Sequence, residues 1–246
     1  MPDELRRFFV EPGVATSGEV QITGDLARRL ARVLRYRPGD RLVLATGAPR
    51  EHVVELSAVS WKQVAGAVVG EQDGPEEPSV EVVLYQALIR PNRFDLVLEK
   101  GTEIGVAHFV PVLAGRTQVQ MDEPGHTRAE RWHRLIVEAA EQCGRGRFPE
   151  IAQPIPFADA LASAPGLKIV PWEDEREQRL ADYLRALPER PATVSIFVGP
   201  EGGYQNEEVA LARDSGAALV TLGRQVMRAE TAAVVAAGIV LHELDR

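Results

Sequence analysis

Residues 194–204, VSIFVGPEGGY, and 218–232, ALVTLGRQVMRAETA, decide how the rest of the chain is read. Each opens as a short apolar run, breaks at glycine, and passes into a helical pattern, Asn206–Ser215 after the first and Ala229–Glu243 after the second. A strand, a tight loop and a helix in succession form the repeating unit of a parallel sheet. Upstream the rhythm continues. Apolar runs at Val80–Ile89, Phe109–Leu113 and Leu167–Trp172 alternate with helical patterns at Arg93–Gly105, Thr127–Cys143 and Glu175–Leu187. The alternation predicts an α/β domain over residues 80–246, with a parallel sheet covered by helices on both faces.

Before it, short Val-rich runs at Arg7–Val10, Glu19–Ile22, Arg41–Ala45, His52–Ser60 and Gln63–Gly70 are separated by Gly or Pro turns. They predict a small β-barrel over residues 1–72, joined by a Pro-rich linker at 73–79. One helix interrupts these strands at Asp25–Tyr36. It is expected to bury Leu26, Leu30, Val33 and Leu34 and to present Arg28, Arg32 and Arg35 on the other side. With Arg6 and Arg7 nearby, this face either tracks a phosphate backbone or is a solvated surface. Arg145 and Arg147, after the helix at 127–143, read as RNA or substrate contacts, or as cations near a helix C-terminus.

The chain has 246 residues and a net charge of −8, which argues against a strongly basic nucleic-acid binder. The charge is uneven: 10 Arg and Lys stand against 9 Asp and Glu in residues 1–72, and 18 against 27 thereafter. The one cysteine, Cys143, and scattered histidines predict neither a disulfide nor a metal site. No apolar run approaches the roughly 20 residues of a membrane-spanning helix, and the N-terminus lacks an apolar signal core, so a cytoplasmic, non-membrane protein is expected.

In open α/β sheets ligands bind beyond the carboxyl ends of the strands. The loop at 199–204 has three glycines but no phosphate-loop lysine, and Glu201 stands where a phosphate would sit. A ligand with hydroxyls, an amine or a positive centre fits better. The helix after the loop at 222–228 is rich in Ala and suits close packing, either in the core or against a subunit.

GPEGGY at 199–204 and LGRQVMRAETA at 222–232 closely resemble the paired C-terminal motifs of the ribosomal RNA small-subunit methyltransferase E family, of the SPOUT class. RRFF at 6–9, EKGTEIGV at 99–106, AGRTQ at 114–118 and ERWHRLIVEAAEQCGRGRFPEI at 130–151 carry the resemblance along nearly the whole chain. It implies a PUA-like, RNA-binding β-barrel followed by a SPOUT α/β domain with a trefoil knot. The implied activity is S-adenosylmethionine-dependent methylation of uridine N3 in 16S rRNA of the small ribosomal subunit, by a homodimer. The sister activity, methylation of a ribose 2′-hydroxyl in rRNA or tRNA, and a non-catalytic RNA-binding assembly role are the alternatives.

Carried over by position, the cofactor-binding residues are Val198, Gly199, Pro200, Glu201, Gly202 and Gly203, with Leu222, Gly223, Met227 and Arg228, and more weakly Trp172 and Glu173. A bulky residue at Gly202 is expected to abolish cofactor binding. Gln205 stands where the family has Ser or Thr, so Asn206 is expected to cap the helix. N3 of uridine is protonated at neutral pH and must lose that proton. Arg116 and Arg228 are candidates for stabilising charge on the uracil oxygens, and Glu103 or Glu230 for accepting the proton.

Overall fold

The computed structural model describes residues 5–15, 18–118 and 125–245. The chain divides into two compact units. One runs to Glu77 and takes in Ala140–Arg147, and the other comprises Pro78–Ala139 and Phe148 onward.

The first unit contains β1 (Arg7–Phe9), β2 (Glu19–Thr23), α1 (Gly24–Arg28), β3 (Arg41–Ala45), β4 (Arg50–Val59) and β5 (Gln63–Asp73). The strands form one sheet in the order β1-β3-β4-β5-β2, with β1 parallel to β3 and the other pairs antiparallel. Two register shifts between β4 and β5, at Val53/Val54 and Leu56/Ala58, bend the ladder, as bulges do. No ladder joins β1 to β2 among the described residues, so the expected barrel is a curled, open half-barrel. Phe8, Leu30, Leu42, Leu44, Val54, Leu56 and Val64 fill its concave side. β5 continues to Asp73, beyond the strand end expected from sequence, because Glu71, Gln72 and Asp73 still pair with His52, Glu51 and Arg50.

The helix expected at Asp25–Tyr36 is a single α-helical turn followed by a π-helical turn at Arg29–Val33. The wider turn shifts the side-chain phase. Leu30 stays buried, but Val33, expected in the core, is 70% exposed.

The second unit is built on parallel strands β6 (Glu81–Ala87), β7 (His108–Leu113), β8 (Glu150–Ile151), β9 (Ile155–Pro156), β10 (Leu167–Pro171), β11 (Thr193–Val198) and β12 (Ala218–Val220). Their order is β12-β10-β11-β6-β7-β8, with β9 also on β7. The helices are α2 (Pro91–Ile104), α3 (Gly125–Cys143), α4 (Phe157–Ser163), α5 (Leu180–Arg185), α6 (Asn206–Asp214) and α7 (Ala229–Leu244). Alternate residues of β6 feed two cores. Val82 and Leu84 pack with α2, α5 and α7, whereas Val83 and Tyr85 pack with α4 and α6. Strands buried on both faces explain the continuous apolar runs of the sequence.

The helix expected over Glu175–Leu187 is confined to Leu180–Arg185. Glu175 Oε1 accepts the backbone N–H groups of Glu177 and Gln178 at 2.8 and 3.0 Å, forming a turn that competes with helix at 175–178. The same bonds, Gln178 first, hold the Glu175 carboxyl below its ordinary pKa.

Candidate active site

A cavity of about 370 Å³ opens beyond the carboxyl ends of β10, β11 and β12. Its volume falls within the range of small-molecule sites. After β10 the wall is Trp172, Glu173 and Arg176; after β11 it runs from Val198 to Glu201 and continues with Gly203 and Tyr204; after β12 it comprises Thr221 to Gly223 and Gln225 to Arg228, with Ala229 and Ala232 from α7. Arg93, on α2, completes it.

The loop after β11 is tight. Gly203 N–H donates to Pro200 O at 2.9 Å, and Gly203 has a φ of +69°, in the left-handed region that glycine tolerates. A β-carbon there would collide with Glu173 Oε1. Helix α6 follows at once, with Gln205 as its N-cap and Asn206 already helical, contrary to the sequence expectation. Glu208 explains the difference: its Oε2 accepts Gln205 N–H and its Oε1 accepts Gly115 N–H, each at 2.8 Å. Tyr204 packs against Phe157, with ring centroids 4.7 Å apart and planes tilted by 39°, and burial pushes its phenol well above the ordinary pKa. It is a neutral wall.

Of the twelve residues expected at the cofactor, eleven line this cavity. Gly202 does not; its carbonyl accepts Nη1 of Arg116 at 2.8 Å, and a β-carbon there would meet only Arg116 Cβ and Cδ at 3.4 and 3.5 Å. Among the four candidate catalytic residues, Arg228 lines the cavity. Arg116 lies outside the lining and props the glycine loop. Glu103 is also outside it, paired with Lys100 Nζ at 2.8 Å. Glu230 is buried behind Arg93, with its Oε1 3.7 Å from Arg93 Nε, and does not line the cavity.

Sequence reasoning missed Arg93 and Arg176. The only signal for Arg93 was its place at the start of a helix following a central strand. Among the described residues no group of three or more His, Cys, Asp or Glu could hold a metal, and no helix is long and apolar enough to cross a membrane.

In the first unit the expected RNA-contacting arginines separate into two groups. Arg7 is 12% exposed and grips the fully buried Glu51 through Nε and Nη2 at 2.6 and 3.0 Å, while its Nη1 donates to Gly144 O at 2.6 Å. Arg145 donates to Glu77 Oε2 from Nη2 at 2.6 Å. Both guanidiniums are thus engaged by carboxylates of the same unit. Arg6, Arg28, Arg32, Arg35 and Arg147 are exposed. Arg32 lies over the Trp61 ring, 5.0 Å from its centroid. Arg29 pairs with Glu141 at 2.5 Å.

Comparison with known proteins gives consistent results. Residues 75–241 match the model of a family described as an RNA methyltransferase domain. A ribosomal RNA small subunit methyltransferase E from Synechocystis sp. is 30% identical, over 94% of this chain and 75% of the relative. The crystal structure of a ribosomal RNA small subunit methyltransferase E from Neisseria gonorrhoeae bound to S-adenosyl methionine is similar at a TM-score of 0.85 and 26% identity, covering 95% of each chain. A Legionella pneumophila protein in complex with bound SAM is similar at a TM-score of 0.88 and 28% identity, covering 96% of this chain and 97% of the other.

Proposed function

The chain belongs to the RNA methyltransferase domain family, and on that premise we propose that it uses S-adenosylmethionine to methylate N3 of a uridine in 16S rRNA of the small ribosomal subunit, as a cytoplasmic homodimer. The observation that carries this reading is that residues from both motifs that resemble the family, at 199–204 and 222–232, line one cavity.

The lining suits the cofactor. Val198, Leu222, Met227 and Ala232 offer apolar contact, and the backbone at Gly223 is open to close approach. Glu173 and Glu201 complement an ammonium and a sulfonium, whereas Arg176 and Arg228 complement a carboxylate. When bound, S-adenosylmethionine supplies a sulfonium methyl whose bond electrons return to sulfur as N3 of the base takes the methyl and gives up its proton. The chain's contribution is orientation at roughly 3–3.5 Å in line and charge stabilisation in a partly enclosed space. Arg116 keeps the glycine loop in place through Gly202 O. In the first unit, exposed Arg28, Arg32 and Arg35 supply sequence-independent attraction to phosphates.

Nucleoside mass spectrometry of rRNA from a deletion strain tests the proposal. Loss of one 3-methyluridine, restored by the wild-type chain, is expected. Unchanged 3-methyluridine refutes it, and loss of a 2′-O-methyl nucleoside instead assigns the ribose reaction. Calorimetry showing no saturable S-adenosylmethionine binding by the purified chain leaves only the RNA-binding assembly role.

A further inference from the structure

Strand β6 leaves the sheet at Ala87, and Pro91 opens α2, which carries Arg93 in its first turn to the cavity wall. The Arg93 side chain is 24% exposed and sits between two carboxylates, with Nη1 3.8 Å from Glu201 Oε1 and Nε 3.7 Å from Glu230 Oε1. These separations give Coulombic attraction but exceed hydrogen-bond length. The guanidinium is held by charge, and its N–H donors face the cavity without a hydrogen-bond acceptor among the described residues, which favours a ligand that brings oxygens. Glu230 is 9% exposed in the first turn of α7, and its Oε2 has no hydrogen-bond partner. Its charge is stabilised by Arg93 and by the helix N-terminus.

Resting on the methyltransferase reading, we propose that Arg93 is a catalytic residue that donates to the uracil carbonyl oxygens of the target base and stabilises their negative charge as N3 loses its proton, with Glu230 positioning it. The local charge selects the ligand. Two carboxylates around one guanidinium leave a net negative environment that disfavours a permanent anion such as the cofactor carboxylate. A carbonyl that is neutral before reaction and gains charge only in the transition state is accepted. Arg176 and Arg228 line the same cavity without an ion pair and are the better partners for a fixed carboxylate. In the step assigned to Arg93, the N3–H bond breaks and its proton passes to water or hydroxide at the open cavity mouth. The N3 electron pair then forms the bond to the methyl carbon. The charged groups facing Arg93 are Glu201 from the loop after β11 and Glu230 from α7; Glu173, Arg176 and Arg228 line the same cavity.

The test is single-turnover methylation of small-subunit rRNA by the full chain from neutral to alkaline pH, with S-adenosylmethionine affinity measured by calorimetry. Arg93→Met is expected to lower the neutral-pH rate by about 10²–10³-fold, the effect of deleting one oxyanion donor. The deficit should shrink as rising pH ionises N3 without help, with cofactor affinity within about twofold of wild type. Arg93→Lys retains charge without the fork and should fall between the two, and it serves where the methionine variant folds poorly. Glu230→Gln should reproduce the alkaline recovery with a smaller deficit. A rate deficit equal at all pH values, or a weakening of cofactor affinity by tenfold or more, overturns the assignment. The wild-type rate in the same assay tests the underlying activity separately from the role of Arg93.

Discussion

Replacing Gly203 with alanine puts a β-carbon on a residue whose φ is +69° and whose neighbour on that side is the Glu173 carboxylate. Left-handed backbone at alanine costs about 1–2 kcal/mol. The new methyl must also displace Glu173, which lines the cavity, or open the turn closed by Gly203 N–H to Pro200 O. For a chain of this size, 1 kcal/mol lowers Tm by about 2–4 °C, so a fall of about 2–8 °C is expected. If the bound state requires the original turn, S-adenosylmethionine affinity falls by a similar free energy, about 5–30-fold. Gly202→Ala is the internal control, because its β-carbon meets Arg116 at ordinary contact distance and its φ lies outside the left-handed region. The control should remain near wild type in both Tm, by thermal unfolding, and affinity, by calorimetry. Wild-type Tm and affinity in Gly203→Ala would show that the turn is neither strained by a side chain nor required for the ligand. This moves the sensitive position one residue on from the Gly202 expected from sequence.

Glu51→Gln leaves the Arg7 guanidinium largely buried without its counter-charge, and urea unfolding should show a loss of about 3–5 kcal/mol. Gly101→Ala on α2 would place a β-carbon 2.7 Å from the Phe109 ring, and overpacking of this kind should lower stability by about 1–3 kcal/mol, read as a lower Tm. Arg28→Glu combined with Arg32→Glu should weaken rRNA binding and make the slope of log affinity against log salt shallower by about 1–2, while leaving Tm near wild type; an unchanged slope returns these residues to a solvated surface.

The second unit was largely legible because its strands are buried on both faces, so runs such as Val82–Leu84 and Ile196–Val198 are continuously apolar, and the latter ends at Gly199. Strands β8 and β9 escaped because two residues carry no period, and α4 because seven residues hold only two turns. Val33 illustrates a different failure: a helical wheel at 3.6 residues per turn loses its phase at a π-turn. The cavity loops were recognisable as motifs. The roles of the charges depended on partners distant in sequence. Arg7 meets Glu51, Arg145 meets Glu77, Arg29 meets Glu141, and Arg93 meets Glu201 and Glu230, none of which spacing could foretell.

Because Glu81 of β6 pairs with Thr193 of β11, and β6 also supports α7, the binding cavity forms only after β11, β12 and α7 have been synthesised. A nascent chain that has released β6 and α2 has yet to make any of the loops that hold a ligand, and its growing sheet must wait with an apolar surface uncovered until α7 emerges. Premature termination before Ala229 therefore yields a species prone to association rather than a weaker enzyme. Ligand added during refolding should rescue only chains long enough to close the last wall.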